Sequence, residues 1–290
     1  MTGLNLRLPS PLTEARDGRL DANGIRLYLK RDDLIHSEFP GNKWRKLKYN
    51  LAAATKAGHS KLLTFGGAYS NHVRAVAAAG KHFGFSTVGV IRGEEHRPLN
   101  RTLEYAIDCG MTLTYMDRET YRHKDESDVI GRLADEFGPF YLIPEGGSNA
   151  LALPGCAELI EEITVDFDVI CCACGTGGTL AGIASALRGD QRAIGFAVLK
   201  GAEFLVDNVR ELQEKAFGHD SDNWSIELDY HFGGYAKTRP ELKTFIADCE
   251  RRFGLQLDWI YEAKMMYGLM DLVDRGHFKT GTSIVALIAG

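Results

Sequence analysis

Short β-rich runs alternate with helix-like stretches along almost the whole chain, and this alternation constrains the fold more than any other feature. Candidate strands fall at 61–65, 86–91, 112–115, 140–144, 167–173, 193–199 and 283–288. Between and around them lie helical patterns at 44–57, 71–83, 100–109, 125–136, 179–187 and 202–217. Strand and helix in alternation imply right-handed βαβ units and largely parallel sheets covered on both faces. After Pro240 the pattern turns more helical, at 240–253 and 262–275, with Gly276 placed as a C-cap glycine. The expected class is therefore α/β.

The chain has 290 residues, enough for two domains at roughly 150 residues each. Hydrophobic residues make up 44% and charged residues 25%, which excludes a disordered chain. A net charge of −5 without a basic tract gives no electrostatic reason to expect nucleic acid or an anionic membrane as partner. The apolar run at 284–289 is far too short to span a bilayer, and the first residues lack the layout of a leader, so a cytoplasmic protein is expected. Three of the six cysteines, Cys171, Cys172 and Cys174, crowd one apolar segment without a second pair at zinc spacing. They read as buried thiols rather than a metal or disulfide framework. The turn-rich segments 144–149 and Pro154-Gly155 read as an inter-domain passage. The expected division is a larger domain of residues 1–45 plus 155–290 and a smaller inserted one of 46–154.

Ligands of open α/β sheets bind beyond the carboxyl ends of strands, and three informative loops fall there. In Cys174-Gly175-Thr176-Gly177-Gly178-Thr179 an apolar strand enters and a helix leaves. Glycines let backbone N–H groups turn toward an anion, and the helix N-terminus adds positive potential, so the loop suits a phosphate. It is neither a Walker A loop nor G-x-G-x-x-G, because Leu180 holds the last glycine position. In Gly41-Asn42-Lys43, Asn42 is a reasonable N-cap that puts Lys43 in the first helical turn. A cation faces the positive end of the helix dipole there, which suits a lysine working as an amine or through a Schiff base; a solvated basic face is the alternative. Ser70-Asn71-His72 opens an alanine-rich helix. Ser70 and Asn71 serve either as caps or as hydrogen-bonding groups of a site, and His72 reads as a polar residue on the helix surface.

Taken in order, these segments resemble the pyridoxal-phosphate enzymes built like the tryptophan synthase β subunit, the fold type II group. Within that group the chain is similar to the branch of 1-aminocyclopropane-1-carboxylate deaminase and D-cysteine desulfhydrase. The resemblance runs from Lys30-Arg31-Asp32-Asp33 to Gly276. It includes the intervals of 27 residues from Lys43 to Ser70 and 26 from Tyr235 to Tyr261.

The resemblance implies pyridoxal 5'-phosphate as cofactor, bound in a cleft between the two domains. Lys43 would be its covalent partner, and Lys46 with Gly175, Thr176, Gly177, Gly178 and Thr179 would hold the phosphate. Asn71 would hydrogen-bond the phenolic oxygen, and Ser70 would meet the substrate carboxylate or act as a base. Tyr235 and Tyr261 match the two active-site tyrosines; Glu262 matches the carboxylate facing the pyridine nitrogen and keeping the ring an electron sink. Core packing is the other account of the tyrosines, and a helix N-terminal charge that of Glu262. His72 follows the desulfhydrase pattern and Glu262 the deaminase pattern. The implied reaction takes a small amino acid to a 2-oxo acid and ammonia, and a homodimer is implied. Two rivals are a non-catalytic pyridoxal-phosphate or phosphometabolite-binding protein and a dinucleotide-dependent oxidoreductase.

Overall fold

The computed structural model describes residues 4–39 and 41–290. Residues 1–3, where the stretch read for a leader begins, and Pro40 lie outside the described residues. Two compact units emerge: Lys43–Ser148 forms one, and Asn5–Asn42 with Asn149–Gly290 forms the other.

The chain enters the larger unit with β1 (Leu12–Ala15), α1 (Gly18–Asn23) and β2 (Arg26–Arg31). The smaller unit follows as α2 (Lys43–Lys56), β3 (Lys61–Gly66), α3 (Asn71–Phe83), β4 (Ser86–Arg92), α4 (Arg101–Asp108), β5 (Thr112–Met116), α5 (Arg118–Arg122), α6 (Ser127–Phe137) and β6 (Tyr141–Ile143). Its four strands form a parallel sheet in the order β5-β4-β3-β6. On one face Leu63, Phe65, Val88 and Val90 pack with Tyr121, Val129 and Leu133 from α5 and α6.

The chain returns to the larger unit through α7 (Ala152–Glu161), β7 (Val169–Cys174), α8 (Gly178–Ala186), β8 (Arg192–Ala197), α9 (Leu205–Phe217), β9 (Trp224–Glu227), α10 (Pro240–Phe253), α11 (Glu262–Asp274) and β10 (Ser283–Ile288). Its sheet runs β1-β2-β10-β7-β8-β9. Only the β1–β2 pairing is antiparallel; every other pairing in this sheet is parallel. Alternate residues of a strand point to opposite faces, and β10 displays the consequence. Ile284, Ala286 and Ile288 join the core that includes α11, whereas Val285 and Leu287 join the core of α7, α8 and α9. Both faces are covered, which is why β10 reads as an unbroken apolar run. The cysteines divide likewise, Cys171 to one face and Cys172 and Cys174 to the other. All six are free thiols.

Pro154-Gly155 is not a turn. Both residues lie in α7, where proline is tolerated because an N–H in the first helical turn has no intrahelical acceptor. β1, α1, β2, α5 and β9 are further elements that the alternating pattern did not disclose. In β2, Lys30 is fully buried and donates to the Ser10 carbonyl at 2.7 Å and to Glu162 at 2.8 Å. Among the described residues no helix is long and apolar enough to cross a membrane.

Candidate active site

In the smaller unit, Lys43 is the first residue of α2 and Lys46 lies one turn further on. Lys46 is buried, and its ammonium donates to the Gly146 carbonyl at 3.2 Å and the Ser148 hydroxyl at 3.1 Å. The glycine-rich 144–149 segment therefore lies against a predicted site residue. Gly147, at φ +69°, leaves no room for a side chain: a Cβ there would come within 2.9 Å of the His72 ring.

Ser70 caps α3 by accepting the Val73 N–H at 3.3 Å. No described residue accepts its own O–H, so the cap leaves the proton available. Asn71 is the first residue of α3. His72 is not the surface residue expected; it is 2% exposed. Its Nε2 lies 2.9 Å from the Thr64 hydroxyl, which donates to the Ile143 carbonyl at 2.8 Å. Because the Thr64 proton is committed, Nε2 must be the protonated nitrogen and Nδ1 carries the lone pair. Burial, with the positive charges of Lys43 and Lys46 adding to it, pushes the imidazole pKa well below its ordinary value. His72 is therefore neutral.

In the larger unit, the turn after β7 is shaped as a cradle. Gly177 adopts φ +83° as the N-cap of α8, a conformation that favours glycine. A Cβ on Gly175 would sit 3.2 Å from the Tyr261 ring, and one on Gly177 would sit 3.0 Å from Val209. The first N–H groups of α8 have no intrahelical acceptor, and Gly177 supplies no side-chain cap. Donors, positive helix end and bare backbone together fit a phosphate. Thr179 is fixed by Asn42, whose amide donates to its hydroxyl at 2.8 Å. Gly41 is required just before: at φ +53° its Cβ would overlap the Ala289 carbonyl.

Tyr235 and Tyr261 meet edge to face, with ring centroids 6.2 Å apart. Burial raises the Tyr261 pKa well above its ordinary value, helped by Tyr235 and then by Asp258 and Glu262. The phenol therefore keeps its proton. Asp258 accepts the backbone N–H groups of Ile260 and Tyr261, both at 2.8 Å, and so fixes the turn that leads into α11. Glu262 follows as the first residue of α11, 2% exposed, where the helix end favours negative charge. The Gly175 contact sets the glycine turn beside Tyr261, which Tyr235 meets and Glu262 follows in sequence.

Residues 5–290 match the family described as "Pyridoxal-phosphate dependent enzyme". The chain belongs to that family. Its fold is that of the type II pyridoxal-phosphate enzymes, and pyridoxal phosphate is its cofactor. The oxidoreductase and non-catalytic readings are set aside with that result. A Pyrococcus furiosus protein, named provisionally as a 1-aminocyclopropane-1-carboxylate deaminase, is 35% identical over 87% of this chain and 81% of its own. The Arabidopsis thaliana protein named as a bifunctional mitochondrial D-cysteine desulfhydrase and 1-aminocyclopropane-1-carboxylate deaminase is 29% identical over 87% of this chain and 69% of its own. A crystal structure described as an ACC deaminase homologue superposes with a TM-score of 0.86 at 29% identity, covering 97% of this chain and 89% of that one.

The sequence did not single out Thr64, Asp258 or Lys264, and it marked the 146–148 turn, through its Gly146-Gly147 pair, only as part of an inter-domain passage.

Proposed function

We propose that this enzyme is a deaminase or lyase acting on a small amino acid of the 1-aminocyclopropane-1-carboxylate or D-cysteine type, releasing a 2-oxo acid and ammonia. The observation that carries the reading is the glycine turn set against Tyr261, with buried Glu262 next in sequence, in a chain similar to relatives bearing those two names.

When bound, pyridoxal phosphate supplies a covalent electron sink for charge that develops at the substrate α-carbon. Lys43, the first residue of α2, would attach it. The 175–179 turn and Lys46 would hold the phosphate, and Asn71 would hydrogen-bond the phenolic oxygen. Glu262, at the N-terminus of α11 where negative charge is favoured, would accept from the ring nitrogen. Ser70, whose oxygen already caps α3, retains an O–H to meet the substrate carboxylate or move a proton next to it. Tyr261 keeps its phenolic proton and, paired with Tyr235, acts as donor rather than base. The tyrosines and glycine turns support a small substrate.

The family resemblance also supports a homodimer, and a cytoplasmic location is part of the same reading; light scattering and fractionation test these. The reaction itself is tested by following 2-oxo acid and ammonia release from 1-aminocyclopropane-1-carboxylate, D-cysteine, and L- and D-serine. Stoichiometric release of both products from at least one of these is expected. No release from any of them overturns the proposal.

A further inference from the structure

Lys264 is fully buried in α11, and its amine has two acceptors, the Val198 carbonyl at 3.3 Å and the Gly234 carbonyl at 2.8 Å. No carboxylate lies within ion-pair distance of it among the described residues; Asp258 acts on it only at longer range. Lysine is rarely fully buried without a paired charge, and a buried one needs its hydrogen bonds satisfied. Desolvation lowers its pKa to about 8. In the neutral form its two N–H groups match the two carbonyls one to one.

Those carbonyls stand at the entrances to two parts of the proposed site. Val198 donates its N–H to the Cys174 carbonyl at 3.1 Å, immediately before the glycine turn. Gly234 immediately precedes Tyr235. The Tyr235 segment is strained: Phe232, Gly233, Gly234 and Ala236 adopt φ of 54°, 101°, 117° and 51°. Left-handed backbone at two non-glycine residues persists only where surrounding contacts enforce it. Lys264 supplies a buried side-chain donor to that loop, and the Gly233 N–H donates to His231 Nδ1 at 2.9 Å.

We infer that Lys264 is a positioning residue that holds the strained 232–236 loop so that Tyr235 meets Tyr261, in register with the glycine turn. The inference rests on the reading of Tyr235 as a site residue. Lys264 acts through that loop, by way of the Gly234 carbonyl.

The test compares Lys264→Met, Lys264→Arg, Gly234→Ala, Tyr235→Phe and the Lys264→Met/Tyr235→Phe double variant as holoenzymes, using the amino acid that the wild type turns over fastest. Lys264→Met should lower kcat at least tenfold with KM changed less than threefold, and Lys264→Arg should restore part of the loss. The double variant should be no slower than the slower single one. In the cofactor-free protein, the ring-to-ring NMR cross-peak between Tyr235 and Tyr261 should vanish in Lys264→Met. Should Lys264→Met fail to fold, Gly234→Ala decides, because a Cβ there meets only ordinary contacts with Lys200 and strains the loop through φ alone. It should show the same selective fall in kcat. An unchanged cross-peak, independent multiplying losses, or a Gly234→Ala enzyme with wild-type kcat overturns the inference. If Tyr235→Phe alone keeps full kcat, the role proposed for Tyr235 fails and the inference falls with it.

Discussion

Asn42 donates its side-chain amide to the hydroxyl of Thr179 at 2.8 Å, across 137 residues of chain. The residue that precedes Lys43 is thereby tethered to the first turn of α8. Because the Thr179 oxygen accepts from Asn42, its own proton is left to donate to the proposed phosphate. Thr179→Val removes the Asn42 bond and that donor. A hydrogen bond to a charged group contributes about 1.5–3 kcal/mol, so the dissociation constant for pyridoxal phosphate should rise roughly ten- to hundredfold. Equilibrium titration of the cofactor-free protein measures it; an unchanged constant would place the phosphate elsewhere.

Gly177→Asp is a harsher test of the same turn. It sets a negative charge beside the phosphate, and cofactor affinity should fall by more than about a hundredfold. The φ of +83° and the close approach to Val209 also strain any side chain there, lowering the stability of the cofactor-free protein by about 1–2 kcal/mol. Urea unfolding without cofactor separates the two effects.

Ser70→Ala and Glu262→Gln should fail differently. The first loses a helix cap, worth about 1 kcal/mol, and should also lose turnover about a hundredfold or more because the O–H goes with it. The second should bind cofactor normally yet slow the step that draws charge into the ring. Rapid-mixing spectra and a melting curve for each variant distinguish them. If Ser70→Ala lost stability but kept its turnover, Ser70 would be a cap and nothing more.

Much of this fold could be read from residues adjacent in sequence. α3 and α10 coincide with their expected limits because Ser70 caps the one and Pro240 opens the other, both local signals. β10 was legible because both its faces are buried. α7 was hidden because Pro154-Gly155 suggests a turn until its packing is known. A Cβ on Gly182 of α8 would lie 2.7 Å from the Leu153 carbonyl, so the two helices make close contact. β2 was hidden by Lys30, whose charge is acceptable inside only because Glu162, 132 residues away, answers it. The site divides the same way. Its glycine turn, Lys43 and Ser70 announce themselves through local chemistry. His72 does not, since its burial and tautomer depend on Thr64 and Ile143; neither does Lys264, whose acceptors are 66 and 30 residues away.

Lys264 also yields a pH prediction. Its folded pKa, about 8, lies below the ordinary 10.5, so the unfolded chain binds the extra proton between those values. The fold is penalised below pH 8 by up to about 3 kcal/mol, and the penalty is relieved as pH rises toward 10.5. Lys264→Met lacks this dependence. The stability of the wild type relative to the variant should therefore grow by about 2–3 kcal/mol between pH 7.5 and 10 in paired urea titrations. A gap that stays constant would mean that the buried amine titrates normally.

Every role proposed for the site depends on Lys43 carrying the cofactor covalently. Borohydride reduction of the holoenzyme, followed by proteolysis and mass spectrometry, identifies the lysine. A single reduced pyridoxyl adduct on Lys43 is expected, with Lys43→Ala losing both the adduct and the visible absorbance of the lysine-bound cofactor. An adduct on Lys46, Lys264 or any other lysine in the wild type would contradict it.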